Sequence, residues 1–359
     1  MISRDGDGGL HIHAINLPRF VIVGPNVLTK VRDVLNGLNY RGDVLLICGE
    51  TFTREPAKVV MESIEGSSRM VHTLSVKDAT QIEVEAVCSL IEETKVGMVV
   101  SVGGGKTIDV AKLASFNKGI PFISVPTSAA HDGISSPVAS LKSEKGSLSV
   151  MAHPPIALLA DMEVIARSPK RHVVSGVGDI IAKFTAVRDW GLAHRLKGEY
   201  YGEYAASLAL MSAELVAENV DLIARGLDVG LRTLIEALIS CGYAMCIAGS
   251  SRPCSGSEHL FAHALERIAG DSSFHGERCG LGTIMMMYLH GGDWKNIRDV
   301  LLKVGAPTTA KELGVRDEDI IEALSLAHTI RPERYTILGE KGITREAAVE
   351  VAKITGVIE

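Results

Sequence analysis

The second half of this chain concentrates histidines and carboxylates at spacings that suit a metal ion. His259, His263 and His275 lie within 17 positions, and the first two are four apart, so they share one helix face. Asp179 ends the upstream sequence Gly-Val-Gly-Asp. Neutral imidazoles and a carboxylate are ligands that zinc and similar divalent ions take. Spacing alone favours His259 and His263 as joint ligands, with structural histidines and an N-cap role for Asp179 as the alternatives.

A glycine-rich turn provides a second candidate site. Gly103, Gly104 and Gly105 follow an apolar run and precede Lys106, Thr107 and a helical pattern. Glycines let the backbone approach a phosphate closely, and a helix N-terminus offers free N–H donors and a partial positive charge. The turn lacks one glycine of a P-loop and one of a GxGxxG motif. It therefore predicts phosphate binding, and a tight turn without a ligand is the alternative.

The next apolar run along the chain ends in the sequence Pro-Thr-Ser-Ala-Ala-His-Asp, residues 126–132. The carboxyl ends of parallel strands meet at one sheet edge, where ligands bind in open α/β folds. Small residues and two hydroxyls there suit close packing against a flat ring or a ribose. A polar loop with an Asx-turn at Asp132 is the alternative.

The elements that must position these motifs change in character near residues 162–170. Before that boundary, apolar runs separated by helical patterns predict a parallel sheet with helices on both faces. Beyond it, strand signals nearly vanish and apolar residues recur with helical period. We expect a Rossmann-like, nucleotide-binding α/β domain over residues 1–165 and an all-helical metal- and substrate-binding domain over 166–359, with the site between them. The predicted strands are Phe20–Val23, Val44–Cys48, Val71–Val76, Val96–Val102, Ile120–Val125 and Ile156–Ala160, with a hairpin within Ser135–Met151.

Composition excludes several classes of partner. The 37 basic and 43 acidic residues give a net charge of −6, and aromatic residues make up 4%, so nucleic acid is not an expected partner. Charges interrupt the apolar stretch Leu231–Gly249, which favours a buried helix over a membrane span. Met1–Asp7 lacks the pattern of a signal peptide, and six cysteines without CxxC spacing suggest reduced, buried thiols. We expect a cytoplasmic homo-oligomer that binds a small molecule.

The motifs GGGKTIDVAK, VPTSAAHDG, GVGD, GSEHLFAHALE and HGE, in this order and spacing, resemble the dehydroquinate synthase and iron-containing alcohol dehydrogenase superfamily. The resemblance extends from about Val21 to the end of the chain, and SVPTSAAHDG with SEHLFAHAL is most similar to its sn-glycerol-1-phosphate dehydrogenase family. It implies a dehydroquinate synthase-like fold. It also implies NAD(P)H-dependent, Zn²⁺-assisted reduction of dihydroxyacetone phosphate to sn-glycerol 1-phosphate, the backbone of archaeal ether phospholipids.

The resemblance implies a role for each motif. Asp179, His259 and His275 would bind one Zn²⁺ per subunit, with Asp179 also near the substrate. Asp132 and His263 would contact the substrate as catalytic residues, and the proton donor stays open between His263 and metal-bound water. NAD(H) or NADP(H) would be held by Gly103, Gly104, Gly105, Lys106, Thr107, Thr127, Ser128, Ala129, Ala130 and Ser136.

Glu50 ends the second predicted strand, where a carboxylate commonly binds the adenosine ribose. Thr51 and Arg54 are nearby candidates for a 2′-phosphate. The phosphate of the substrate requires a cation near the cleft, for which Lys145, Lys183 and Arg188 are candidates.

Three alternative functions remain open from the sequence. They are a glycerol dehydrogenase acting on an unphosphorylated polyol, a lyase of the dehydroquinate synthase type, and a binding module without catalysis.

Overall fold

The computed structural model describes residues 14–66, 69–143, 146–270 and 272–359, so Met1–Asp7 and Lys145 lie outside the described residues. Six parallel strands form one sheet in the order β1-β8-β5-β4-β2-β3, and β6 and β7 form an antiparallel hairpin. The parallel sheet and the hairpin predicted from the sequence are confirmed. The strands are β1 Phe20–Gly24, β2 Val44–Gly49, β3 Val71–Val76, β4 Val99–Gly103, β5 Phe122–Pro126, β6 Val138–Ser143, β7 Gly146–Met151 and β8 Ala157–Asp161.

The central strands are buried because helices cover both faces of the sheet. Every residue of β4, β5 and β8 is buried, which explains why their sequences are apolar without alternation. The strand predicted to begin at Val96 begins at Val99 in the structure, because the preceding helix ends only at Lys95, which has the left-handed conformation. Four helices accompany the sheet: α1 Val31–Gly37, α2 Arg54–Glu65, α3 Gln81–Thr94 and α4 Gly105–Lys118.

The rest of the chain is helical, as the sequence predicts. Many of its apolar residues belong to one hydrophobic core that also includes Leu45 and Phe122 of the sheet, so the sheet and the helices pack as a continuous body. The division into domains at residues 165 and 166 stays a prediction. The helices are α5 Met162–Ala166, α6 Lys170–Ile181, α7 Lys183–Lys197, α8 Glu203–Glu218, α9 Val220–Ala224, α10 Asp228–Ala248, α11 Ser257–Ala269, α12 His275–Leu289, α13 Trp294–Val304, α14 Ala310–Leu313, α15 Asp317–Leu326 and α16 Arg345–Ile354.

Helix α10 is long and apolar enough to cross a membrane by length and composition, but 67% of its most apolar window is buried inside the protein. It packs against α8, α9 and α6. A helix buried by its own protein in this way is a core helix, in agreement with the sequence-based expectation.

Asp179 lies inside α6, close to its C-terminal end, so the N-cap alternative for this residue is wrong. The helix begins at Lys170, ten residues earlier than an N-cap at Asp179 requires. The glycines before Asp179 serve helix packing instead of a helix start. A Cβ atom at Gly178 would lie 2.1 Å from the carbonyl oxygen of Gly276 in α12. This contact allows α6 and α12 to approach closely and brings Asp179 near His275.

We expect Gly178→Ala to lower the free energy of unfolding by about 1–3 kcal/mol, because the backbone of α12 must move to admit the methyl group. Gly191→Ala in α7 is the matched control, since its Cβ would meet its nearest atom, on Tyr201, at 3.8 Å. The control should stabilise the protein by about 0.5–1 kcal/mol through helix propensity. Urea unfolding with a chelator present measures both changes, and equal stability of the two variants would contradict the packing argument.

Candidate active site

Three helices bring four metal-ligating side chains together. Asp179 of α6, His259 of α11 and both His275 and Cys279 of α12 offer ligand atoms that all lie within 4.8 Å of one another. The His259 Nε2 atom is 3.4 Å from Asp179 Oδ1, and the Cys279 sulfur is 3.4 Å from His275 Nε2. The three ligands implied by the resemblance therefore form one cluster.

The position of His263 contradicts the interpretation from spacing alone. Its ring packs beside His275 with centroids 5.6 Å apart, but His263 is not part of the donor cluster found among the described residues. Cys279 was not predicted as a ligand from the sequence, although it lies four positions after His275 and so shares its helix face.

A buried carboxylate orients His259. The Nδ1 atom of His259 is 2.8 Å from Glu258 Oε1, so the ring directs its Nε2 atom towards Asp179. Glu258 is itself fixed by hydrogen bonds from the Thr185 hydroxyl and from the backbone N–H of Gly256. Metal-binding histidines commonly have such a second partner, which fixes the tautomer and the ring orientation.

A buried lysine joins the metal ligands to the loop after β5. The Lys183 ammonium, which is fully buried, lies 2.7 Å from Asp132 Oδ2 and 3.0 Å from Asp179 Oδ1. The backbone N–H of Asp132 also donates to Asp179 Oδ2, at 2.8 Å. With Glu258, which contacts His259, the cluster contains three carboxylates and one ammonium, which leaves a formal charge of −2. One divalent cation would neutralise it, so the donor set and its charge fit such an ion.

Burial and neighbouring charges shift the pKa values in this cluster. Burial opposes the charge on Asp179, but Lys183 and the nearby histidines outweigh it and hold its pKa well below the usual range. Burial likewise disfavours the Lys183 ammonium, yet Asp132 and Asp179 raise its pKa well above the ordinary value. Burial together with His259 lowers the pKa of His275 well below its usual value. His275 is therefore neutral at pH 7, the form that binds a metal.

One cavity of about 740 Å³ connects this cluster to the glycine-rich turn. The predicted residues that line it are Glu50, Gly104, Gly105, Lys106, Thr107, Ser128, Ala130, Asp132, Ser136, His259, His263 and His275. Four other predicted residues lie behind the cavity wall: Gly103, Thr127, Ala129 and Asp179. Two of them contact each other, since Thr127 donates its N–H to the Gly103 carbonyl at 3.0 Å. The structure thus gathers the motifs at one edge of the sheet, as the strand order predicts.

Close contacts require two of the three glycines of the turn. A Cβ at Gly103 would lie 2.7 Å from the Cβ of Thr107, and one at Gly105 would lie 1.9 Å from His131 Nε2. A Cβ at Gly104 would have ordinary room, with its nearest atom, Ser128 Oγ, 3.5 Å away. Gly104 has extended backbone and caps α4, so it faces the cavity where the free N–H groups of that helix begin.

The cations suggested for the substrate phosphate are not well placed. Lys183 is enclosed by carboxylates and Arg188 is exposed away from the cavity lining. Of the two residues suggested for a 2′-phosphate, Thr51 lines the cavity and Arg54 does not.

Comparison with known proteins identifies close relatives. The chain is 54% identical over 347 residues to the NAD(P)+ glycerol-1-phosphate dehydrogenase of Pyrococcus horikoshii, which covers 97% of this chain and 100% of the relative. It is 54% identical over 348 residues to the enzyme of the same name from Thermococcus kodakarensis, with 97% and 99% covered. A family profile described as iron-containing alcohol dehydrogenase matches residues 22–169.

Solved structures share the fold at low sequence identity. A probable glycerol dehydrogenase from Sinorhizobium meliloti superposes with a TM-score of 0.80 at 22% identity, covering 97% of this chain and 100% of that one. Sulfoacetaldehyde reductase from Bifidobacterium kashiwanohense, solved in complex with NAD+, gives a TM-score of 0.74 at 17% identity, with the same coverage. The likeness confirms the dehydroquinate synthase-like architecture expected from the sequence.

Two substitutions in α12 distinguish a metal site with three protein ligands from one with four. We expect His275→Ala to lose a bound divalent ion and Cys279→Ala to keep it, because a catalytic site retains three protein ligands and one open position. Metal content after zinc loading and gel filtration, measured by mass spectrometry, checks both variants. Full occupancy in the first variant would exclude His275 as a ligand, and metal loss in the second would make Cys279 one.

We expect Gly104→Val to weaken NAD(P)H binding by roughly tenfold or more, since a branched side chain would fill the space above the α4 N-terminus. The melting temperature of the cofactor-free protein should stay within a few degrees, because the position has room and an unstrained backbone. Nicotinamide fluorescence titration and thermal unfolding measure the two effects. Unchanged NAD(P)H affinity would place the pyrophosphate elsewhere.

Proposed function

This chain belongs to the glycerol-1-phosphate dehydrogenase family, and from this we propose that it reduces dihydroxyacetone phosphate to sn-glycerol 1-phosphate with NADH or NADPH. It is an NAD(P)-dependent oxidoreductase, as its close relatives are. One observation in the structure carries the proposal: the glycine-rich turn and the cluster of Asp179, His259 and His275 line or support a single cavity. A dinucleotide and a substrate ketone beside the metal ligands would therefore meet there.

The proposed metal ligands are Asp179, His259 and His275, with zinc as the ion. When bound, such an ion acts as a Lewis acid towards the ketone oxygen of the substrate. Glu258 fixes the ring of His259, and Lys183 fixes the carboxylate of Asp179. These partners would hold the ligands in place before the ion arrives, which limits the reorganisation that binding requires.

The proposed dinucleotide site follows the carboxyl edge of the sheet. The dinucleotide supplies the hydride, so the protein has to position it and exclude water. The turn from Gly103 to Thr107 would hold the pyrophosphate at the N-terminus of α4. Ser128, Ala130 and Ser136, with Thr127 and Ala129 behind them, would surround the nicotinamide end. Glu50, which lines the cavity after β2, would bind the adenosine ribose.

Asp132 and His263 are the proposed substrate contacts. The Asp132 carboxylate is held by Lys183 at 2.7 Å and lines the cavity, so its remaining acceptor positions are available to a substrate hydroxyl. The Nδ1 atom of His263 is buried, and no described residue makes a hydrogen bond to it. Glu266 Oε2 lies 3.8 Å away, which is too long for one. Because His263 also lines the cavity, its ring would contact a polar group of the substrate there.

The alternative functions are weaker. Glycerol dehydrogenases appear among proteins that share the fold, but their sequence identity is 19–22%, against 54% for glycerol-1-phosphate dehydrogenases. A lyase of the dehydroquinate synthase type is not favoured by the close relatives. The full donor set argues against a binding module without catalysis. We further propose a cytoplasmic homo-oligomer with domains divided at residues 165 and 166, whose product supplies glycerophosphate for lipid synthesis.

We expect the purified enzyme to oxidise NADPH or NADH with dihydroxyacetone phosphate and to react far more slowly with dihydroxyacetone. Absorbance of the reduced nicotinamide at equal concentrations of the two ketones measures the difference. Activity with the free ketone alone would support the glycerol dehydrogenase alternative, and inactivity with both would contradict a ketone reductase.

A further inference from the structure

Most of the cations that line the cavity already have carboxylate partners. Lys106 and Lys142 both pair with Asp78, each at 3.0 Å. The guanidinium of Arg278 lies 3.2 Å from Glu266 Oε2. A substrate anion would have to compete with these carboxylates, so none of the three cations is well suited to bind it.

Arg331 differs from these cations because no carboxylate in the described part of the chain forms an ion pair with it. It follows α15 in an irregular segment, lines the cavity and is half-buried. Lys77 also lines the cavity without a described ion pair, but it is exposed and directly follows β3 at the sheet side. Arg331 instead comes from the helical part of the chain, which provides His259 and His263.

Positive charge is concentrated behind Arg331. Arg334 donates to the Ser251 hydroxyl at 2.9 Å and to the Ser255 carbonyl, and Arg331 is 3.5 Å from the same Ser251 oxygen. Arg252 pairs with a carboxylate, but Arg334 has no ion pair with a described residue. Burial and the charges of Arg331 and Arg252 lower the pKa of Arg334 to about 9. The cluster therefore carries more positive than negative charge beside the cavity.

Arg331 lies near the position where the ketone would react. The turn at residues 327–329, just before Arg331 in the chain, packs against α11, which carries His259 and His263. Arg331 lines the same cavity as these two histidines. In dihydroxyacetone phosphate the phosphorus is three bonds from the ketone carbon. A group that binds this phosphate must therefore neighbour the residues that contact the ketone and the hydroxyl.

We propose that Arg331 binds the phosphate of the substrate, with Ser251 as a second donor and Arg334 fixing Ser251. This inference rests on the proposed function. A guanidinium presents two parallel N–H donors that match two phosphate oxygens. The Ser251 oxygen accepts from Arg334, so its own hydrogen is left to donate into the cavity that Ser251 lines. An unphosphorylated ketone gains nothing from these groups.

Kinetics of Arg331→Met with both ketones tests the proposal. We expect the KM for dihydroxyacetone phosphate to rise about 10- to 100-fold, the loss typical of a hydrogen bond to a charged group. Inorganic phosphate should inhibit the wild type competitively against the ketone and should inhibit the variant at least about tenfold more weakly. The KM for dihydroxyacetone and the affinity for NADPH should not change. Arg188→Met, at an exposed position away from the cavity, is the matched control and should behave like the wild type.

Arg331→Lys provides a second test that keeps the charge. We expect a KM for dihydroxyacetone phosphate between those of the wild type and Arg331→Met, because an ammonium lacks the two-pronged geometry. If Arg331→Met also loses NADPH affinity, the KM of Arg331→Lys decides whether Arg331 binds the phosphate. A wild-type KM and wild-type phosphate inhibition in either variant would overturn the inference and leave the proposed function intact. Absence of dihydroxyacetone phosphate reduction by the wild type would overturn both.

Discussion

The buried ammonium of Lys183 is the interaction on which the arrangement of the site depends. An ion without water is costly unless it is paired, and Lys183 has two carboxylate partners, Asp132 and Asp179. Asp132 belongs to the loop after β5, whereas Asp179 and Lys183 lie on α6 and α7. Any displacement of the helices from the sheet would leave a buried charge unpaired. The ion pairs therefore fix the sheet edge, which offers the cofactor site, against the helices that carry the metal ligands.

The same pairing leaves the cluster short of positive charge. Glu258 adds a third carboxylate, so a cation is needed for neutrality. Without a metal, a proton on His259 supplies part of this positive charge. Burial disfavours a charged His259, but Cys279, Asp179 and Glu258 outweigh burial and raise the pKa of His259 well above the usual value. A proton and a divalent ion thus compete for one imidazole, and metal affinity falls as the pH falls.

The sequence predicted those features that depend on local pattern. Buried parallel strands are continuously apolar, so the apolar runs alone predict the sheet and the edge that carries Gly104 and Asp132. Cys279 was detectable, since it lies one helical turn after His275. Arg331 and Ser251 were not, because 80 positions separate them and their contact depends on how irregular segments pack. The N-cap alternative for Asp179 is wrong because Gly178, needed for contact with α12, resembles a helix break in the sequence.

Excess positive charge in one region of the cavity can orient a substrate. Lys183 and a divalent ion would balance the carboxylates of Asp132, Asp179 and Glu258, whereas Arg331 with Arg334 supplies positive charge in another part of the helical side. A phosphorylated ketone has one anionic end and one neutral, polar end, so the orientation that places its phosphate at the arginines also places its ketone at the metal ligands. The reverse orientation would separate the phosphate from the arginines and leave their charge without a partner, which costs free energy. A neutral polyol has no such preference, so discrimination between the two substrates can arise from orientation as well as from affinity.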